Sequence, residues 1–216
     1  MRAFIGIDVQ ETRGCSFAVI GDNGSAIESG WFHEPSEEAV RLIGRLKENY
    51  NVWIGIDAPR VHLTFPREWY WDGNHHVWRA RRPAERGYGR HCEVVVRVHQ
   101  IGNPQYTPLK EGARPWMVTG FNLFSALQLI GPTYEVFPTA SYALLQGDTD
   151  VQICIDFSQF NPGPKDMLDA FLAAATVQEF VDKRGCEVGG GDGLGTIVLP
   201  RPLRNPITEV LQWPED

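Results

Sequence analysis

The sequence predicts an α/β fold: a mixed sheet of parallel and antiparallel strands with helices on both faces. Three observations carry this. The first third of the chain reads as three short apolar strands separated by turns, the remainder alternates strand with helix, and one tetrapeptide closes two of the apolar runs. At 216 residues, 43% hydrophobic and 22% charged, the chain is long enough for one domain with a full core and ordinary in composition.

Phe4 to Val9 is the first apolar run. Cys15 to Ile20 and Ala26 to Phe32 follow across Gly21-Asp22-Asn23-Gly24, a hairpin turn by composition. Pro35-Ser36-Glu37-Glu38 opens a helix, with Ser36 the candidate N-cap. Val40, Ile43 and Leu46 continue it at helical spacing as far as Asn49-Tyr50-Asn51. Val52 to Ile56 is a fully apolar strand. From about 60 to 115 aromatic residues, arginines, histidines and prolines mix without a sustained period, which marks an insertion. Order returns with a helix over Trp116 to Ile130, stopped by Gly131-Pro132, then a strand at Tyr134 to Phe137 and a brief helix from Thr139 to Gln146. A long helix starts at Pro164-Lys165-Asp166 and ends near Gly185. It is apolar around more than half its circumference and therefore belongs inside. Thr196 to Leu199 is the last strand, and the proline-rich tail from Pro200 wraps the surface.

Cys15, Cys92, Cys154 and Cys186 are far apart and form no C-x-x-C pair, so neither a structural zinc nor a disulfide framework is indicated; reduced thiols are expected. No apolar run reaches bilayer length and the N-terminus has no signal-peptide layout, which argues for a cytoplasmic protein without a membrane partner. Charge is unevenly spread. Between Arg60 and Arg97 eight arginines face four acids, a local +4 that leaves −11 for the rest of a chain whose net charge is −7. In the same stretch Trp69, Tyr70, Trp71, Trp78 and Tyr88 alternate with the arginines, a mixture suited to stacking bases and holding phosphates, and also to mediating a homodimer.

The repeated tetrapeptide is Ile5-Gly6-Ile7-Asp8 and Ile54-Gly55-Ile56-Asp57. A strand alternates faces, so each aspartate shares a face with the glycine two residues earlier and ends a buried strand, the edge where open α/β sheets bind ligands. Should the two strands be neighbours, Asp8 and Asp57 lie side by side, and a cation relieves their repulsion. Asp166 and Asp169 lie three apart in the first turn of the internal helix, on one face. Asp166 is explained as a cap; Asp169 runs straight into Ala170-Phe171-Leu172 and needs a partner. Glu135 is an acid inside an apolar strand, open to a metal site or to an arginine of the insertion. Arg90, Glu93 and Arg97 share one face if helical, as an internal ion-pair ladder or with one arginine reaching a phosphate. His75, His76, His91 and His99 show no ligand spacing. Gly189 to Gly195 precedes a strand, so its nominal G-x-G-x-x-G is a loose turn.

The order I-G-I-D, I-G-I-D-A-P, R-x-x-E, Y-E-V-F-P and D-x-x-D-A resembles, over nearly the whole chain, the family of predicted RNase H-like nucleases of unknown function. The motifs fall on Asp8, on Asp57 with Pro59, on Arg90 with Glu93 and Arg97, on Glu135 with Pro138, and on Asp166 with Asp169. The resemblance implies a five-stranded RNase H-like sheet in which acids of the first and fourth strands and the last helix hold two Mg2+ or Mn2+ ions for phosphodiester hydrolysis in nucleic acid. It gives Asp8, Asp57, Asp169 and Glu135 catalytic roles, Asp8, Asp57, Asp166 and Asp169 as metal ligands, and Arg90, Glu93 and Arg97 as substrate contacts, to which the arginine-rich stretch adds Arg60. Sugar-kinase-type phosphoryl transfer is discounted, because Asp8 is followed by Val9-Gln10-Glu11-Thr12 and not by a glycine-rich turn. The competing class is a binding module that keeps the fold without catalysis.

Overall fold

A computed structural model describes residues 1–147 and 164–214; Cys154 lies outside the described residues. Among them the order is β1 (Arg2–Asp8), β2 (Cys15–Gly21), β3 (Ala26–Phe32), α1 (Pro35–Leu46), β4 (Asn51–Asp57), β5 (Trp69–Asp72), β6 (Val77–Ala80), α2 (His91–Val98), a 3-10 turn at Lys110–Gly112, α3 (Pro115–Leu127), β7 (Thr133–Val136), α4 (Pro138–Leu145), α5 (Pro164–Val181), β8 (Cys186–Gly189), β9 (Thr196–Leu199) and α6 (Thr208–Leu211). The α/β class is as expected. The sheet has seven strands and not five, in the order β3-β2-β1-β4-β7-β9-β8. β1, β4, β7 and β9 run parallel, while β2, β3 and β8 are antiparallel to their neighbours. β8 escaped the sequence reading because Cys-Glu-Val-Gly neither alternates nor carries an apolar run; it is an edge strand held by its hairpin with β9. The glycine-rich Gly189–Gly195 segment is the loop of that hairpin.

One face of the sheet packs on α1 and α3 through Ile5, Ile7, Ile54, Leu42, Ile43 and Leu123. The other packs on α5 through Phe4, Ile20, Ala170, Ala173 and Val177. A third apolar cluster joins α2, α4 and α6 to β8 and β9, so the 60–115 segment is not free of the core: Val94, Val95 and Val96 of α2 are buried against Val188, Ile197 and Leu199. Its other regular elements are the 3-10 turn and the β5–β6 hairpin, with Trp71 edge-on to Trp78 across the strands. The tail folds back through buried Val210, whose carbonyl accepts from the His91 ring. Helix α1 is capped by Glu34, not Ser36; the Glu38 carboxylate accepts the main-chain N–H groups of His33 and Glu34. Cys15 and Cys92 are buried and, with half-buried Cys186, unbridged.

The contact that sets the site is between α5 and the two glycines. A Cβ on Gly6 would fall on the Ala170 carbonyl oxygen and 2.9 Å from Ala173 Cβ, and one on Gly55 would sit 2.7 Å from Val177 Cγ2 and 3.0 Å from the Ala173 carbonyl. The helix therefore lies backbone to backbone on β1 and β4, and neither glycine can carry a side chain.

Gly6→Ala is expected to destabilise the protein by about 3 kcal/mol or more through overpacking. Gly44→Ala, in mid-helix with nothing within 4 Å of the new methyl, is expected to stabilise by up to about 1 kcal/mol. Urea unfolding followed by circular dichroism measures both.

Candidate functional site

β1 and β4 pair in parallel with Gly6 opposite Gly55 and Asp8 opposite Asp57. Two strand residues advance about 6.6 Å and four helical residues about 6 Å. Since Ala170 and Ala173 lie on the glycines, one helical turn back along α5 brings Asp166 and Asp169 to the level of Asp8 and Asp57. The four carboxylates come together at the carboxyl edge of the sheet. Asp8, Asp166 and Asp169 are buried, and Asp57 is half-buried.

The electrostatics follow from that crowding. Loss of hydration, offset by the Gln10 amide and aggravated by Asp169 and Asp166, pushes the Asp8 carboxyl up to about 7. Loss of hydration, with Asp8 and Asp169 close by, drives Asp57 well above the ordinary carboxylate range. The flanking cations are Lys165, whose ammonium donates to Asp169 Oδ2 at 2.6 Å, and Arg13, 3.5 Å from Asp166 Oδ2. Both are largely exposed, at 77% and 53%, so each neutralises its partner only weakly. Tyr142 of α4 completes the rim; lost hydration and then the Asp169 carboxylate raise its phenol.

Glu135 stands apart from this cluster in its bonding. It lies on β7 opposite Ile56, and its carboxylate takes Arg90 bidentately, with Nη1–Oε2 at 2.7 Å, and the Arg60 main-chain N–H at 2.9 Å. Arg90, 1% exposed, also grips Glu93, which accepts in addition from the Thr107 main-chain N–H and hydroxyl. Arg90, Glu93 and Glu135 thus form an internal ion network at the start of α2. Arg97 does not join it; it is exposed and lies over the Tyr106 ring. The Arg60 guanidinium donates to the Thr133 carbonyl and covers the face of Phe124. Of the eight insertion arginines, Arg81, Arg82 and Arg86 are exposed, and Arg79 is paired with Glu85.

Gln10, Arg13, Tyr142 and Lys165 were not singled out from the sequence. Two had a local signal: Gln10 follows Asp8 by two residues, and Lys165 precedes Asp169 by one helical turn. Arg13 and Tyr142 arrive only through tertiary packing.

Two observations bear on a metal. Among the described residues, Asp166 Oδ2 and Asp169 Oδ1 are buried without a hydrogen-bond partner, and four hard carboxylates face two screened cations, a donor set and charge deficit suited to Mg2+ or Mn2+. Among the described residues, no group of three or more His, Cys, Asp or Glu is gathered tightly enough to grip an ion as it stands. No family model, no curated protein and no solved structure matches the chain.

Two outcomes are expected. Arg90→Met leaves Glu93 and Glu135 buried and unpaired and costs about 3–5 kcal/mol, whereas Arg97→Met costs under about 1 kcal/mol; denaturant titration separates them. In chelator, the folded protein holds a proton on Asp8 that the unfolded chain has already released between about pH 4 and 7. Stability therefore falls as pH rises through that window, by up to about 1.4 kcal/mol per pH unit for one proton. Melting temperatures across the window should show the decline, and Asp8→Asn should lessen it, with the raised Asp57 carboxyl contributing what remains.

Proposed function

We propose that the chain is an RNase H-like, divalent-metal-dependent hydrolase of phosphodiester bonds in nucleic acid. The observation that carries the reading is the convergence of Asp8, Asp57, Asp166 and Asp169, acids from three separate elements, with two buried oxygens left without partners. The strand order β3-β2-β1-β4-β7 supports the fold reading, because it places the first and fourth strands side by side under the last long helix, as the motif resemblance leads one to expect.

Asp8, Asp57 and Asp169 would hold the ion, with Asp166 in support; bound there, Mg2+ or Mn2+ supplies Lewis acidity to a phosphate diester. Gln10 orients Asp8 through its amide, and loss of the Asp8 proton readies that carboxylate as a ligand near neutral pH. Lys165 and Arg13 stand at the rim, where each can release its aspartate to an ion and meet a phosphate oxygen instead. Glu135 is spoken for by Arg90. Its part is to fix the floor beside Asp57 and to add its charge to the field there. Exposed Arg81, Arg82 and Arg86 supply a basic approach for a polyanion. A non-catalytic binding module remains the competing reading, favoured by the loose spacing of the acids.

Calorimetric titration with Mn2+ at pH 7 should show saturable binding with proton release. Asp8→Asn and Asp169→Asn should each weaken it by about tenfold or more, and Glu135→Gln should leave binding of the ion in place if the protein folds. With Mn2+ and single-stranded, duplex and branched nucleic acids, product release should depend on Asp8. Silence in both experiments, or cleavage that survives Asp8→Asn, rules the hydrolase out.

A further inference from the structure

Arg67 is 9% exposed, and its Nε and Nη1 groups are buried without an acceptor. Its guanidinium is held between two aromatic rings, 4.1 Å from the Tyr70 centroid and 5.0 Å from that of Tyr106. Both rings are themselves fixed. The Tyr70 hydroxyl accepts the Gly87 main-chain N–H at 2.7 Å, and Tyr106 lies against Gly89, where a Cβ would come within 2.8 Å of the ring. The pattern extends outward, with Arg79 over Tyr70 and Arg97 over Tyr106. Arg79 has Glu85 as a counter-ion. Among the described residues Arg67 has no counter-ion; its main-chain N–H donates to the Gly87 carbonyl.

A rigid guanidinium, desolvated and without acceptors, is a fork waiting for an oxyanion. Arg67 lines a cleft of about 710 Å³ between the 63–69 segment and the β8–β9 loop, a volume suited to a small ligand. Phe65, Trp69 and Trp213 are also in its wall, and Phe65 is 80% exposed. Two acids share the wall. Asp192 accepts one main-chain N–H on each oxygen, from His91 and Leu194. Glu68 is exposed, so water screens its charge.

We propose that this cleft is a nucleotide site, in which Arg67 takes a phosphate and the aromatic wall of Phe65, Trp69 and Trp213 takes the base. The ligand class is a nucleoside phosphate, free or as one unit of a strand. The site shares no residue with the acid cluster and does not require a metal there, so it stands or falls separately from hydrolysis.

The test is tryptophan fluorescence titration of the full chain in chelator with AMP, adenosine, inorganic phosphate and a thymidine hexanucleotide. AMP should bind saturably, with adenosine and phosphate alone each weaker by about tenfold or more. Arg67→Met should lose AMP affinity by about tenfold or more while keeping Mn2+ binding. Its free form should melt no lower than the parent, because an unsatisfied charge has been removed, and AMP should no longer raise that melting temperature. Phe65→Ala, at an exposed position, should fold and weaken AMP by about fivefold or more. Tighter binding of the hexanucleotide than of AMP assigns the site to a strand, and the reverse assigns it to a free nucleotide. Equal affinity for AMP and adenosine, equal affinity for AMP and phosphate, no saturable binding of either nucleotide ligand, or unchanged AMP affinity in both variants overturns the proposal.

Discussion

The approach of helix α5 to strands β1 and β4 through Gly6 and Gly55 is the constraint from which the rest of the architecture follows. Without side chains on those two residues, the Ala170–Ala174 stretch of the helix settles onto the strand backbones and the strands align in register. The same closeness forces Asp8 and Asp57 against the first turn of the helix. A bulkier residue at either glycine would push the helix off the strands, admit water between the carboxylates and weaken the electrostatic coupling. The glycines thus shape the carboxylate cluster as much as the acids themselves do.

Burial alone does not distinguish a working carboxylate from a structural one; the number of its partners does. Glu135 and Asp8 are equally hidden, at 3% exposure each. Glu135 accepts two hydrogen bonds from Arg90 and one from the Arg60 main chain, and Glu93 beside it is as well supplied. Such a network leaves no lone pair in want of a ligand and ties α2 to β7. Asp8 has one amide donor, and Asp166 and Asp169 each have an oxygen with none. Desolvated anions with vacant acceptor sites are unstable by themselves and attract protons or cations.

The parts of this arrangement legible in the sequence are those in which local pattern and tertiary consequence coincide. Ile-Gly-Ile-Asp, written twice, marks two buried strands that each end in an acid, although their adjacency and the helix contact over the glycines come only with the fold; Asp169, set directly before Ala170-Phe171-Leu172, is conspicuous because an acid there has no solvent. Extra strands were harder to see. The Cys186–Gly189 strand has four residues and no alternation, and Trp69–Asp72 with Val77–Ala80 is a hairpin held by an aromatic pair, so neither carries a period to detect. Arginines were the least legible. Eight in one segment suggest a single basic lip, yet Arg90 is swallowed by two glutamates, Arg60 is turned to a carbonyl and Arg67 lies between tyrosines. Counting charge along a chain cannot reveal which cations the fold consumes.

The two ends of α5 make the contrast most directly. At the carboxyl end Glu179 is buried too, yet despite its lost hydration Arg184 and Arg201 hold its carboxylate below the ordinary range. Asp182 nearby pairs with Arg2 and Arg184. Arginines there also suit the negative end of the helix dipole. At the amino end the dipole favours anions, but its effect is about half an elementary charge, far short of four carboxylates. The fold therefore has the means to neutralise acids on this helix and does so fully at one end. At the other, among the described residues, it leaves Lys165 and Arg13, both solvent-screened, beside two buried oxygens that accept no hydrogen bond. That deficit, confined to one end of one helix at the carboxyl edge of the sheet, is the physical ground on which the proposed cation site rests.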